Sequence, residues 1–157
     1  MNIKDVLKYD QVDFHGIEPS YFLIGLLSAF DNRFQSIADK LIGQISWKQF
    51  FTIIYIDLFK ESPTIKELSQ IMGSSHQNVK QILLKLEKKG FIEIVIDKND
   101  KRKQRIILTK KCQQFCIDND KKSQDFMKTM FDHISQEQLM TTIQTIIQME
   151  DNLKEMR

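Results

Sequence analysis

Apolar side chains recur along this chain at a helical period, broken once by a short alternating stretch. From Pro19-Ser20, with proline well tolerated in a first helical turn, Tyr21, Phe22, Leu26, Phe30, Phe34, Ile37, Leu41 and Ile42 repeat at close to 3.6 residues, and Gly43 ends the run. Ser46 with Gln49 has capping-box spacing and opens a second helix, Trp47 to Phe59. That helix is apolar nearly all round, which predicts burial on most sides and makes it the spine of the core. Ser62-Pro63 breaks the chain, and Thr64 with Glu67 forms a second capping box. The short helix Ile65 to Met72 turns Ile65, Leu68, Ile71 and Met72 inward and stops at Gly73. Ser74-Ser75 then caps a helix with the inner stripe Val79, Ile82, Leu83 and Leu86, ended by Gly90. Two helices joined by a three- or four-residue turn with glycine form a helix-turn-helix.

After Gly90 the period changes from helical to alternating. Phe91 to Ile96 reads as a strand, Asp97-Lys98-Asn99-Asp100 as a polar turn, and Arg105 to Leu108 as the returning strand of a hairpin. Thr109 starts a fifth helix that runs to about Phe131. Ser135 with Gln138 caps a sixth, bearing Leu139, Ile143, Ile146, Ile147, Leu153 and Met156. The expectation is a mainly α chain with one small β-hairpin and no linker or repeat.

Composition narrows the function classes. With 157 residues, 41% hydrophobic and 28% charged, the chain has the make-up of an ordinary globular domain with a real core. No apolar leader opens it, and its longest apolar runs are too short to span a bilayer. Two cysteines, Cys112 and Cys116, do not make a disulfide framework, so a cytoplasmic protein is expected. The five glycines are too scattered to cradle a phosphate, and His15, His76 and His133 lack metal-ligand spacing. Nothing here points to an enzyme, a metal or a cofactor.

Charge changes the picture more. Residues 80–111 hold eleven Lys or Arg against four Asp or Glu, in a chain whose net charge is only +2. Two of the four arginines, Arg102 and Arg105, fall in the hairpin. A basic island on a helix and its adjoining hairpin is the electrostatic footprint of a polyanion-binding face. The plainer alternative is a solvated helix face with a charged turn.

These residues resemble the MarR family, bacterial winged-helix regulators of the multiple-antibiotic-resistance type. The resemblance rests on Thr64 to Gly73, on Leu86-Glu-Lys-Lys-Gly90-Phe91-Ile92-Glu93, and above all on the wing, where Asp97, Asp100, Arg102, Leu108 and Thr109 fill every fixed position of D-x-x-D-x-R-x-x-x-x-x-L-T. Gly43 to Ser46 and Ile134 to Gln138 extend it, so that it covers about residues 20–155. It implies a winged helix-turn-helix at about 46–109, flanked by dimerisation helices at about 15–43 and 110–157. It further implies a homodimer on a pseudo-palindromic double-stranded DNA operator, with no membrane association.

By position, Ser75 to Lys85 is the recognition helix. Ser74, Ser75, His76, Gln77, Asn78, Lys80, Gln81 and Lys85 are its candidate contacts: Asn and Gln pair bidentately with adenine, Lys reaches guanine or phosphate, and the helix N-terminus holds phosphate. Lys98, Asp100, Lys101, Arg102, Lys103 and Arg105 form the candidate wing, with Arg102 in the place of the family's wing-tip arginine and Asp100 as its orienting partner. The chain departs from the family at Gln77-Asn78, where small hydroxylated residues are common, and at Cys112, where glycine often follows the wing threonine by three residues.

Two release routes come with the resemblance. Tyr21, Trp47, Phe50, Phe51, Tyr55 and Phe115 fall around the family's pocket for a small-molecule effector, although an aromatic stripe at helical spacing is usually core. Cys112 and Cys116 are the redox candidates, because some relatives release DNA on cysteine oxidation; a buried, inert thiol is the more common state of free cysteine. The leading reading is a DNA-binding repressor, and the alternative is a winged-helix protein-interaction module without DNA binding.

Overall fold

A computed structural model of the chain describes residues 16–156. The described residues form six helices and one two-stranded antiparallel sheet, in the order α1 (Pro19–Ile42), α2 (Trp47–Leu58), α3 (Ile65–Ile71), α4 (His76–Lys88), β1 (Ile92–Ile96), β2 (Gln104–Leu108), α5 (Lys110–Met130) and α6 (Gln136–Glu155). This is the mainly α, winged helix-turn-helix architecture expected from the sequence.

Local chemistry sets the boundaries. Ser46, Thr64 and Ser135 each accept a hydrogen bond from the third residue of their helix, while Gln49, Glu67 and Gln138 reach back to the cap N–H, so all three helix starts are complete capping boxes. Gly90 ends α4 at a φ of 74°, a left-handed value that side-chain-bearing residues rarely adopt. Thr109 joins hairpin to helix: its hydroxyl donates to Gly90 O at 2.8 Å and accepts the Cys112 N–H at 3.2 Å. Cys112 in the family's glycine position therefore leaves the start of α5 intact.

The chain divides after Phe115 into two compact units. In the first, Ile53, Leu68, Val79, Leu83, Leu86, Ile92 and Ile106 are almost wholly buried, together with Ala38 and Ile42 of α1. This unit runs past the expected boundary at Thr109 because the first turn of α5 belongs to its core. Phe115 packs edge-on against Phe91 and Phe50 at 5.0 and 6.2 Å, and Cys112 is fully buried. The second unit begins at Cys116, within α5, and contains α6, which has no buried residue. No helix among the described residues is long and apolar enough to cross a membrane.

Candidate nucleic-acid interface

The helix-turn-helix is α3, the turn Met72 to Ser75, and α4. Gly73 makes the reversal at a φ of 58°, and the Ser74 N–H closes the turn on Ser69 O at 3.1 Å. Ser75 caps α4 by accepting the Asn78 N–H at 3.2 Å. The N–H groups of His76 and Gln77 are left in the first turn, where a helix offers no internal acceptor and where its dipole favours an anion. Burial of Val79, Leu83 and Leu86 leaves His76, Gln77, Asn78, Lys80, Gln81 and Lys85 exposed, as the sequence predicts. The Asn78 amide donates to Ser74 Oγ at 2.8 Å, which leaves its second N–H and its carbonyl oxygen for other partners.

The hairpin pairs Ile92 with Leu108, Ile94 with Ile106 and Ile96 with Gln104. One face carries Ile92 and Ile106 into the core, and the opposite face carries Glu93, Val95, Arg105 and Ile107. Beyond the ladder, Asp97 builds the tip. Its Oδ1 accepts the N–H groups of Asn99 and Asp100, both at 2.8 Å, and its Oδ2 accepts Arg105 Nε at 2.6 Å. The Arg105 guanidinium, followed by the Asp100 and Asn99 N–H groups, pulls the Asp97 carboxyl down to about 2. Asp100 in turn accepts Nε of Arg102 at 3.2 Å and faces Lys103 Nζ at 3.6 Å, and the Arg102 bond holds its carboxyl below the ordinary range. Arg102 itself stands out with 92% of its side chain exposed, and Lys98, Lys101 and Lys103 are exposed around it.

Arg105, grouped by sequence with the candidate wing cations, is held differently from them. Its side chain is only 25% exposed and is bound to the protein body as well as to Asp97: one terminal nitrogen donates to Ser62 O at 3.0 Å and lies 3.5 Å from Glu67 Oε2. Two lysines of the basic island are likewise engaged. Lys89 Nζ donates to Gln44 O and Lys111 Nζ to Lys89 O, both at 2.6 Å, and Lys111 lies over the Phe91 ring. Both ammonium groups keep their charge at the surface, but the protein's own carbonyls fix where they lie.

Trp47, Phe51 and Tyr55 line a cavity of about 500 Å³, together with Phe30, Phe34, Met72, Ser74, Asn78 and Ile82. Phe34 meets Trp47 edge-on at 4.8 Å, and Trp47 stacks on Phe51 at 5.6 Å. Tyr21, Phe50 and Phe115, also expected there, do not line it: Tyr21 is 78% exposed near the start of α1, and Phe50 and Phe115 are core. Phe30 and Phe34 were legible as an i, i+4 aromatic pair, but the sequence could not show that they face α2. Of the redox candidates, Cys112 is buried and Cys116 partly exposed. Among the described residues no group of three or more His, Cys, Asp or Glu could hold a metal ion; His15 lies outside them.

Residues 44–103 match the sequence model of the MarR family. No protein of curated function matches the chain in sequence. Solved structures match its fold. A MarR/EmrR-family transcriptional regulator from Acinetobacter sp. ADP1 superposes with a TM-score of 0.78 at 16% identity, over 88% of this chain and 99% of the other. MepR of S. aureus, solved as a DNA complex, gives 0.72 at 19% identity over 82% and 94%. FabT of Streptococcus pneumoniae, also in complex with DNA, gives 0.64 at 22% over 88% and 99%. The segment spanning α2, the helix-turn-helix and the wing tip thus matches the MarR family model, within a chain whose fold is that of solved MarR-type transcriptional regulators.

Proposed function

We propose that this chain is a homodimeric transcriptional repressor of the cytoplasm that binds a pseudo-palindromic duplex operator. Each subunit sets α4 in the major groove and the wing in the adjacent minor groove. The observation that carries this reading is the wing tip: Arg102 is almost fully exposed, and the Asp100 carboxylate, which also accepts its main-chain N–H, holds its Nε. A protein-interaction module has no need of an oriented arginine among three exposed lysines. Affinity comes mainly from phosphate neutralisation, and sequence choice from Gln77, Asn78 and Gln81. Homodimerisation accounts for α6, whose Met140, Ile143, Ile146, Ile147 and Leu153 are all exposed in the single chain. A small apolar ligand in the aromatic cavity would act directly on α4, because Asn78 and Ile82 form part of the wall.

Selection of bound fragments from random duplex DNA by the full chain tests the proposal. An enriched palindromic motif whose affinity falls steeply with salt is the expected result. Recovery of no duplex at low salt would leave the interaction-module reading in its place.

A further inference from the structure

The wing is a two-stranded ribbon, a structure only marginally stable alone, yet its tip is tied by side chains to the start of α3. Ile106 N–H donates to Pro63 O at 2.9 Å. Arg105 spans the remaining gap, with Ser62 O and the Glu67 carboxylate on one side and Asp97 on the other. Glu67 belongs to the α3 capping box, where its Oε2 accepts the Thr64 N–H at 2.7 Å. Asp97 holds the Asp100 N–H, and Asp100 holds Arg102. An unbroken series of polar contacts therefore runs from the cap of α3 to the wing-tip guanidinium.

We propose that Arg105 is a positioning residue rather than a DNA contact: bridging Glu67 and Ser62 to Asp97, it sets where the wing presents Arg102 relative to the helix-turn-helix. This rests on the DNA-binding reading above. Arg102 can enter a narrow groove only if its base is held still, and a side-chain bridge from the tip end of the hairpin to the start of α3 restrains the ribbon. The bridge also makes a prediction opposite to simple electrostatics. Asp97 and Glu67 add negative charge beside a polyanion site, so neutralising either should strengthen binding if charge alone mattered. If they act through Arg105, neutralising them should weaken it.

Asp97→Asn is the decisive variant, because the amide oxygen can keep the two tip N–H bonds made by Oδ1 while the bond to Arg105 Nε is lost. In Glu67→Gln one oxygen can still accept the Thr64 N–H, while the charge that faces Arg105 from that same Oε2 at 3.5 Å is lost; this variant decides the matter should Asp97→Asn melt below the assay temperature. Each is made in the full chain, alone and with Arg102→Ala, and titrated with the duplex that the wild type selects. The expected result is binding about five- to tenfold weaker for each single variant, loss of preference for A·T flanks, and no further loss once Arg102 is gone. Binding as tight as or tighter than the wild type, or an equal loss in the Arg102→Ala background, would overturn the proposal. A wild type that binds no duplex would instead overturn the DNA-binding reading itself.

Discussion

Asp100 Oδ1 accepts both the backbone N–H of Arg102 at 3.1 Å and its Nε at 3.2 Å, so one carboxylate oxygen fixes the arginine's main chain and side chain together. That geometry aims the guanidinium away from the hairpin while leaving its terminal nitrogens open. An exposed side chain with one surface partner contributes little to stability. Arg102→Ala should therefore leave the melting temperature nearly unchanged. Operator affinity should fall about tenfold or more, roughly 1.4 kcal/mol. Arg102→Lys should recover only part of it, because an ammonium is more strongly hydrated and suits a narrow A·T groove poorly. Titrations against duplexes with A·T or G·C flanks check this; a variant with wild-type affinity and flank preference would leave the wing without its role.

Asp97 is the most strongly shifted carboxyl of the wing, ahead of Asp100. Folded, its carboxyl titrates at about 2, against about 3.9 for an unfolded aspartate. A depressed folded value stabilises fully above the unfolded pKa, and that stability is lost as pH falls through the folded one. The wild type should thus melt above Asp97→Asn at neutral pH, and the gap should close between about pH 4 and pH 2. Circular-dichroism melts at three pH values suffice. A gap that stays constant down to pH 2 would contradict the assignment.

On α4, Gln77 and Asn78 are exposed while the Ser75 cap is satisfied from the backbone. Gln77→Ala or Asn78→Ala should relax discrimination at particular base pairs, by roughly 1–3 kcal/mol each if the contact is bidentate. Lys80→Ala and Lys101→Ala should weaken binding to all sequences about equally and reduce its salt dependence. Competition between the selected site and single-base variants separates the two behaviours. Unchanged site preference in both amide variants would mean that α4 does not read the bases.

The apolar stripe of α6 should keep the protein dimeric. Sedimentation equilibrium of the full chain is expected to give twice the mass of 18.6 kDa. Ile143→Glu, placed on that stripe, should shift the protein toward monomer or aggregate while leaving the winged-helix core intact, since α6 has no buried residue there. A full-length chain that is monomeric at micromolar concentration would remove the dimer from the proposal.

What the sequence determined by itself was whatever depends on neighbours a few residues apart. Ser46 with Gln49, Thr64 with Glu67 and Ser135 with Gln138 mark helix starts because a capping box closes within one turn. The change from helical to alternating period at Phe91 marks the hairpin, since burial on one face of a strand needs alternate apolar residues. The exposed face of α4 follows from its buried stripe in the same way. The tertiary structure alone decided the partners of long, charged or aromatic side chains. Arg105 looks in sequence like Arg102, three residues away, yet Ser62, 43 residues earlier, supplies the carbonyl that holds it. Phe115 and Trp47 are both helical aromatics, and only the packing of Phe115 on Phe91 and Phe50 and of α1 against α2 puts one in the core and the other on a cavity. Periodicity says which face of an element is covered, but the residue that covers it depends on chain closure over tens of residues, and no local pattern encodes that distance.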